Sequence, residues 1–148
     1  MSSAIDVAVI GVGLVGSAVL KQLATVPSLS ALKVVALQNS RKTLLAAPGQ
    51  HLALDHWQAQ LETSSSSALS LEQLVSELQV IQAKNRRHIA VVDNTSNDTV
   101  AGFYPSFLRA GFSVVTPNKK AFSGSVDLFS AMEEAKENDA RPLVYQES

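Results

Sequence analysis

Three glycines, Gly11, Gly13 and Gly16, stand between an apolar run and an amphipathic one. Strand, then G-x-G-x-x-G, then helix is the arrangement with which a chain cradles a pyrophosphate. Gly11 permits the tight turn, Gly13 lets the backbone approach the phosphates, and Gly16 lets the helix pack close to the strand. The amides at the helix start, at Leu14 and Val15, offer free N–H groups and the positive end of the helix dipole. A glycine-rich turn without a ligand is the plain alternative, and the placement between strand and helix argues against it.

Three further clusters carry polar chemistry. Leu37-Gln38-Asn39-Ser40-Arg41-Lys42 closes the second apolar run without the acid that NAD-specific folds place there for the ribose hydroxyls. Asn39 can still bond a ribose, and Ser40, Arg41 and Lys42 can hold a 2′-phosphate, so NADP is favoured over NAD. A solvated basic turn is the competing reading. Asp93-Asn94-Thr95-Ser96 follows a third strand, where ligands of open α/β sheets bind; the Thr95 and Ser96 hydroxyls can reach a cofactor, cap the next helix, or both. Thr116-Pro117-Asn118-Lys119-Lys120 ends another strand. Pro117 biases Thr116 towards extended backbone, and Lys119, nearer the strand end, is the cation expected over the crevice.

The elements that must position these groups alternate. Strands are expected at Val7 to Ile10, Leu32 to Leu37, His88 to Val92, Phe112 to Val115 and from Leu143 to Tyr145. A helix with Val15, Ala18, Val19, Leu23 and Val26 on one face follows the glycines and stops at Pro27-Ser28. Ser70 and Gln73 form a capping-box pattern before a helix bearing Leu71, Leu74, Val75 and Leu78. Further helices are expected from about Thr99 to Arg109, closed by Gly111, and from Ser125 to Glu137. Residues 40–69 show no clear pattern beyond a Pro48-Gly49 turn and a serine run suited to a surface loop. The fold class is therefore α/β, a Rossmann-type doubly wound, mainly parallel sheet in one domain spanning 1–148.

Composition narrows the function. With 46% apolar and 17% charged residues in 148, the chain can build one ordinary core. A net charge of -1 and no basic-aromatic stripe give no reason to expect nucleic acid. No apolar run approaches the roughly 20 residues that cross a bilayer, so no membrane partner is expected. The absence of cysteine excludes disulfides and thiolate chemistry within the sequence and suits a reducing cytosol. His51, His56 and His88 lack metal-ligand spacing, and no serine sits on a nucleophile elbow.

"VAVIGVGLVGSAVL", "VVDNTSNDTVAGFY", "GFSVVTPNKKAFSG" and the terminal "LVYQES" together resemble the amino-terminal half of homoserine dehydrogenase, most closely the fungal type. The resemblance covers the whole chain. It implies a domain that binds NADP or NAD within an enzyme reducing L-aspartate 4-semialdehyde to L-homoserine, on the route to threonine and methionine. It further implies a cytoplasmic homodimer. By resemblance Gly11 to Gly16, Thr95, Ser96 and Lys119 bind the nucleotide, and Glu147 helps hold a sodium ion near it. The family's second half, with the substrate-binding carboxylates, the catalytic lysine and most of the dimer interface, is not in these 148 residues. No catalytic residue is therefore expected here, Lys119 being the weak candidate. Two other readings compete: a non-catalytic NADP-binding or partner-binding module, and an aspartate semialdehyde dehydrogenase, which needs a cysteine nucleophile that is missing.

Overall fold

The computed structural model describes residues 5–95, 97–116 and 144–146. Six strands form one sheet in the order β3-β2-β1-β4-β5-β6. They are β1 (Ile5–Ile10), β2 (Leu32–Gln38), β3 (Thr43–Leu45), β4 (His88–Asp93), β5 (Ser113–Thr116) and β6 (Val144–Gln146). All neighbours run parallel except β2 and β3. The helices are α1 (Leu14–Thr25), α2 (Trp57–Glu62), α3 (Leu71–Asn85), α4 (Asp98–Gly102) and α5 (Tyr104–Arg109). The helix expected at Ser125 to Glu137 lies outside the described residues.

Alternation along β1 splits the core between the two faces of the sheet. Ile5, Val7 and Val9 pack with Val19, Leu20 and Leu23 of α1. Ala8 and Ile10 pack with Leu74, Leu78 and Ile81 of α3 and with Phe107 of α5. β1 and β4 are buried on both faces, as central parallel strands are, and apolar apart from Asp6 of β1 and the two ends of β4, His88 and Asp93.

Three local departures from the expected elements have physical causes. The inner face of α1 is Gly16, Val19, Leu20 and Leu23, rotated from the expected Val15 and Ala18. Gly16 sets that rotation: a Cβ there would lie 2.2 Å from the Gly11 carbonyl oxygen, so bare backbone faces the strand. The single helix expected over Thr99 to Arg109 is two, because Pro105 starts a fresh helix within the first turn of α5. β3, which the sequence left unplaced, runs antiparallel because no crossover precedes it. Asn39 Oδ1 accepts from the amides of Arg41 (2.8 Å) and Lys42 (2.7 Å), and this turn sends the chain straight back along β2.

The expected caps are present. Ser70 and Gln73 complete a reciprocal capping box on α3. Gly111, at φ +94°, closes α5 in a Schellman pattern, with Gly111 N donating to Leu108 O and Phe112 N to Phe107 O.

Candidate functional site

Register brings the polar clusters together. Ile10, the last residue of β1, lies opposite Gln38 of β2 on one side and Asp93 of β4 on the other. Gly11, Asn39 and Asn94 therefore leave the sheet side by side at its carboxyl edge. Two backbone bonds tie these exits: Gly11 N donates to Gln38 O (2.8 Å) and Asn94 N to Ile10 O (2.9 Å). The order in which β1 lies between β2 and β4 makes this edge the topological switch point, where open α/β sheets bind ligands.

The glycines divide the work. Gly11 sits at φ +90°, and a side chain there would press on Thr95 Cγ2 at 3.0 Å. Gly16 touches the Gly11 carbonyl. Gly13 has nothing within 4 Å of where its Cβ would be among the described residues, so none of them requires a glycine there. The N-terminus of α1 has no side-chain cap and no acid in its first turn. Its orphan amides, at Leu14 and Val15 among them, and its dipole therefore remain available to an anion in the space beside Gly13. Leu14 is 91% exposed at the rim of that space. An open cradle with free amides fits a dinucleotide phosphate group.

On the β2 side, Asn39 spends its carbonyl oxygen on the turn and keeps its amide N–H groups. Ser40 and Arg41 are exposed at the turn. Lys42 is committed differently: its Nζ donates to Ser64 O at 2.8 Å. The serine run is thus more than a solvated loop. Ser64 Oγ donates to Thr43 O, Thr43 N to Ser66 O, and Lys42 bridges Ser67, so the loop covers the edge of β3.

On the β4 side, Asn94 Nδ2 donates to Gly11 O at 3.3 Å, joining the two central loops. Its Oδ1 is buried and has no partner among the described residues. Thr95 does not cap the next helix; Asn97 does, accepting from Thr99 N and Val100 N. The Thr95 hydroxyl instead donates to Asp93 Oδ1 (2.7 Å) and accepts from Asn97 N (3.1 Å). Ser96, Lys119 and Glu147 lie outside the described residues. In chain order, Lys119 and Glu147 follow β5 and β6, whose last paired residues are Thr116 and Gln146.

Sequence reasoning did not single out Tyr104. Its hydroxyl donates to Asp93 Oδ2 at 2.5 Å. Burial and then the Asp93 carboxylate push its pKa up from 10.0 to about 12, so the phenol keeps its proton. An Asp two residues before a Thr is a local turn signal; nothing local announces a tyrosine eleven residues away. His88, expected to be structural, meets Ser113 Oγ at 2.9 Å. His51 meets the buried Asp6 at the opposite edge of the sheet.

A family model described as the NAD-binding domain of homoserine dehydrogenase matches residues 11–146. The chain is 35% identical over 145 residues to the homoserine dehydrogenase of Saccharomyces cerevisiae, covering 97% of this chain and 39% of that protein. It is 39% identical to that of Emericella nidulans, over 100% of this chain and 40% of the relative. The chain thus spans about two fifths of these curated relatives. A crystal structure of a Candida auris protein of unknown function superposes with a TM-score of 0.67 at 36% identity, covering 97% of this chain and 38% of that one. A hyperthermophilic archaeal homoserine dehydrogenase in complex with NADPH shares the fold at a TM-score of 0.60 and 19% identity, over 96% of this chain and 43% of that one.

Proposed function

The chain belongs to the homoserine dehydrogenase family, matching its NAD-binding domain, and we propose that it binds a nicotinamide nucleotide at the carboxyl edge of the sheet, NADP in preference to NAD. The observation that carries the proposal is the open cradle at Gly13, beside an uncapped helix N-terminus. The α1 amides hold the phosphates, and Asn39 reaches the adenosine ribose. Ser40 and Arg41, standing where NAD folds carry an acid, meet a 2′-phosphate. When bound, the nucleotide supplies a hydride; the residues of this chain bind it and orient it.

For the whole protein we propose reduction of L-aspartate 4-semialdehyde to L-homoserine, in a cytoplasmic homodimer serving threonine and methionine synthesis. Lys119 is proposed on the cofactor side and Glu147 beside a sodium ion. These readings rest on family membership, since the chain spans only 39–40% of its relatives.

Calorimetry with NADPH and NADH tests the site. Wild-type chain should bind NADPH more tightly. Arg41→Ala should remove most of that preference, losing about 1.5–3 kcal/mol for a charge-assisted contact. Lys42→Ala should remove less, because its ammonium already serves Ser64. Gly13→Val should fold and fail to bind. Equal affinities unchanged by Arg41→Ala overturn the NADP preference; normal binding by Gly13→Val overturns the cradle.

A further inference from the structure

Three elements around the crevice converge on one residue. Asp93 ends β4 and is 4% exposed. Its Oδ1 accepts from Thr95 N (2.8 Å) and Thr95 Oγ1 (2.7 Å), which folds the β4–α4 loop back on the strand. Its backbone oxygen accepts from Thr116 Oγ1 (3.1 Å), which fixes the end of β5 just before Pro117. Its Oδ2 accepts from Tyr104 at the start of α5.

We propose that Tyr104 is a positioning residue for the nicotinamide half of the bound nucleotide, acting through Asp93 on the loop that carries Asn94 and Thr95. The inference rests on the nucleotide reading above. A carboxylate turns readily about its last torsion, whose energy well is broad. Oδ1 alone would leave the plane of the Asp93 carboxylate loosely set; the Tyr104 hydroxyl on Oδ2 fixes it. With a pKa of about 12 the phenol donates this bond throughout the neutral range. The loop so held reaches Gly11 through Asn94 Nδ2 and lies against it through Thr95 Cγ2. Strand order decides which half of the nucleotide feels the effect. The adenosine ribose belongs at the end of β2, beside Asn39, on the far side of β1. The other half must therefore lie over β4 and β5.

The test uses Tyr104→Phe, which deletes the hydroxyl and keeps the ring. Calorimetry compares NADPH with adenosine 2′,5′-bisphosphate, which carries only the adenosine half. The variant should bind NADPH about tenfold more weakly, as the loss of one hydrogen bond to a charged group implies, and the bisphosphate within twofold of wild type. A purely structural role would weaken both probes alike. Thr116→Val, which removes the hydroxyl bonded to the Asp93 backbone oxygen at the root of the same loop, should show the same selective loss and serves if Tyr104→Phe fails to fold. Equal weakening of both probes, or unchanged NADPH binding, overturns the inference and leaves the nucleotide site standing. A wild-type chain that binds neither probe overturns both readings.

Discussion

Gly13 and Gly16 are three residues apart and lack side chains for opposite reasons. At Gly16 the constraint is internal: a methyl group would meet backbone at 2.2 Å, and backbone cannot step aside as a side chain can. At Gly13 none of the described residues fills the space, and the constraint proposed there is external, the nucleotide. Gly16→Ala should therefore destabilise the fold by about 1–3 kcal/mol, the usual cost of overpacking, and Gly13→Ala should leave it nearly unchanged. Urea unfolding of the two variants measures the contrast; equal stabilities would mean that α1 can shift off β1 without cost. The sequence motif names both glycines and assigns these roles in general; only the packing distance attaches each role to its cause. The basic turn divides in the same way. Arg41 and Lys42 are equivalent in sequence, yet Lys42 is held by a carbonyl 22 residues further on.

Elements were legible where one face is buried and the period is clean. The strands at β2, β4 and β5 were foreseen to within a residue at each end, β1 starts two residues before the expected Val7, and the α3 capping box was foreseen residue for residue. What joins the elements was not legible. Asp6 interrupts the apolar run of β1 and is fully buried. It is paired with the Nε of Arg87, 81 residues away, and bonded by Asn85 Nδ2 (2.9 Å) and His51 Nε2 (3.1 Å). Arg87 also donates to the carbonyls of Ile5 and Ala31. Asn85 and Arg87, part of a mere polar break in sequence, thus clamp the amino ends of β1 and β2 to the start of β4. Arg87→Met leaves a buried carboxylate without its cation and should cost about 3–5 kcal/mol. A loss below about 1 kcal/mol in urea unfolding would show that His51 and Asn85 suffice. Nucleotide affinity at the opposite edge should be unchanged in the folded variant.

For the molecule as a whole, binding and turnover separate. A chain of these 148 residues should bind NADPH yet reduce aspartate 4-semialdehyde at a negligible rate. Orienting a second reactant is worth roughly 7–11 kcal/mol of barrier, and a positioned proton donor adds about 10²–10⁴-fold. The polar groups described at the crevice are already assigned to holding loops or nucleotide. Absorbance of NADPH, followed beside a full-length fungal relative, tests this; turnover within tenfold overturns it and makes Lys119 the first candidate for the acid. The sequence by itself determined the α/β class and the place of the glycine turn, because apolar period and glycine spacing are local properties of the chain; the family was legible only as a resemblance carried by four specific segments. Tertiary structure decided the rest. It turned β3 antiparallel through the Asn39 side chain, broke the helix before α5 at Pro105, and gave Lys42 to Ser64. It also gathered Thr95, Tyr104 and Thr116 onto Asp93. The Lys42, Tyr104 and Thr116 bonds join residues 22, 11 and 23 apart, and no short window along the chain contains both partners. The Asn39 turn and the Pro105 break are local, and their consequences show only once the strands pair and the helices pack.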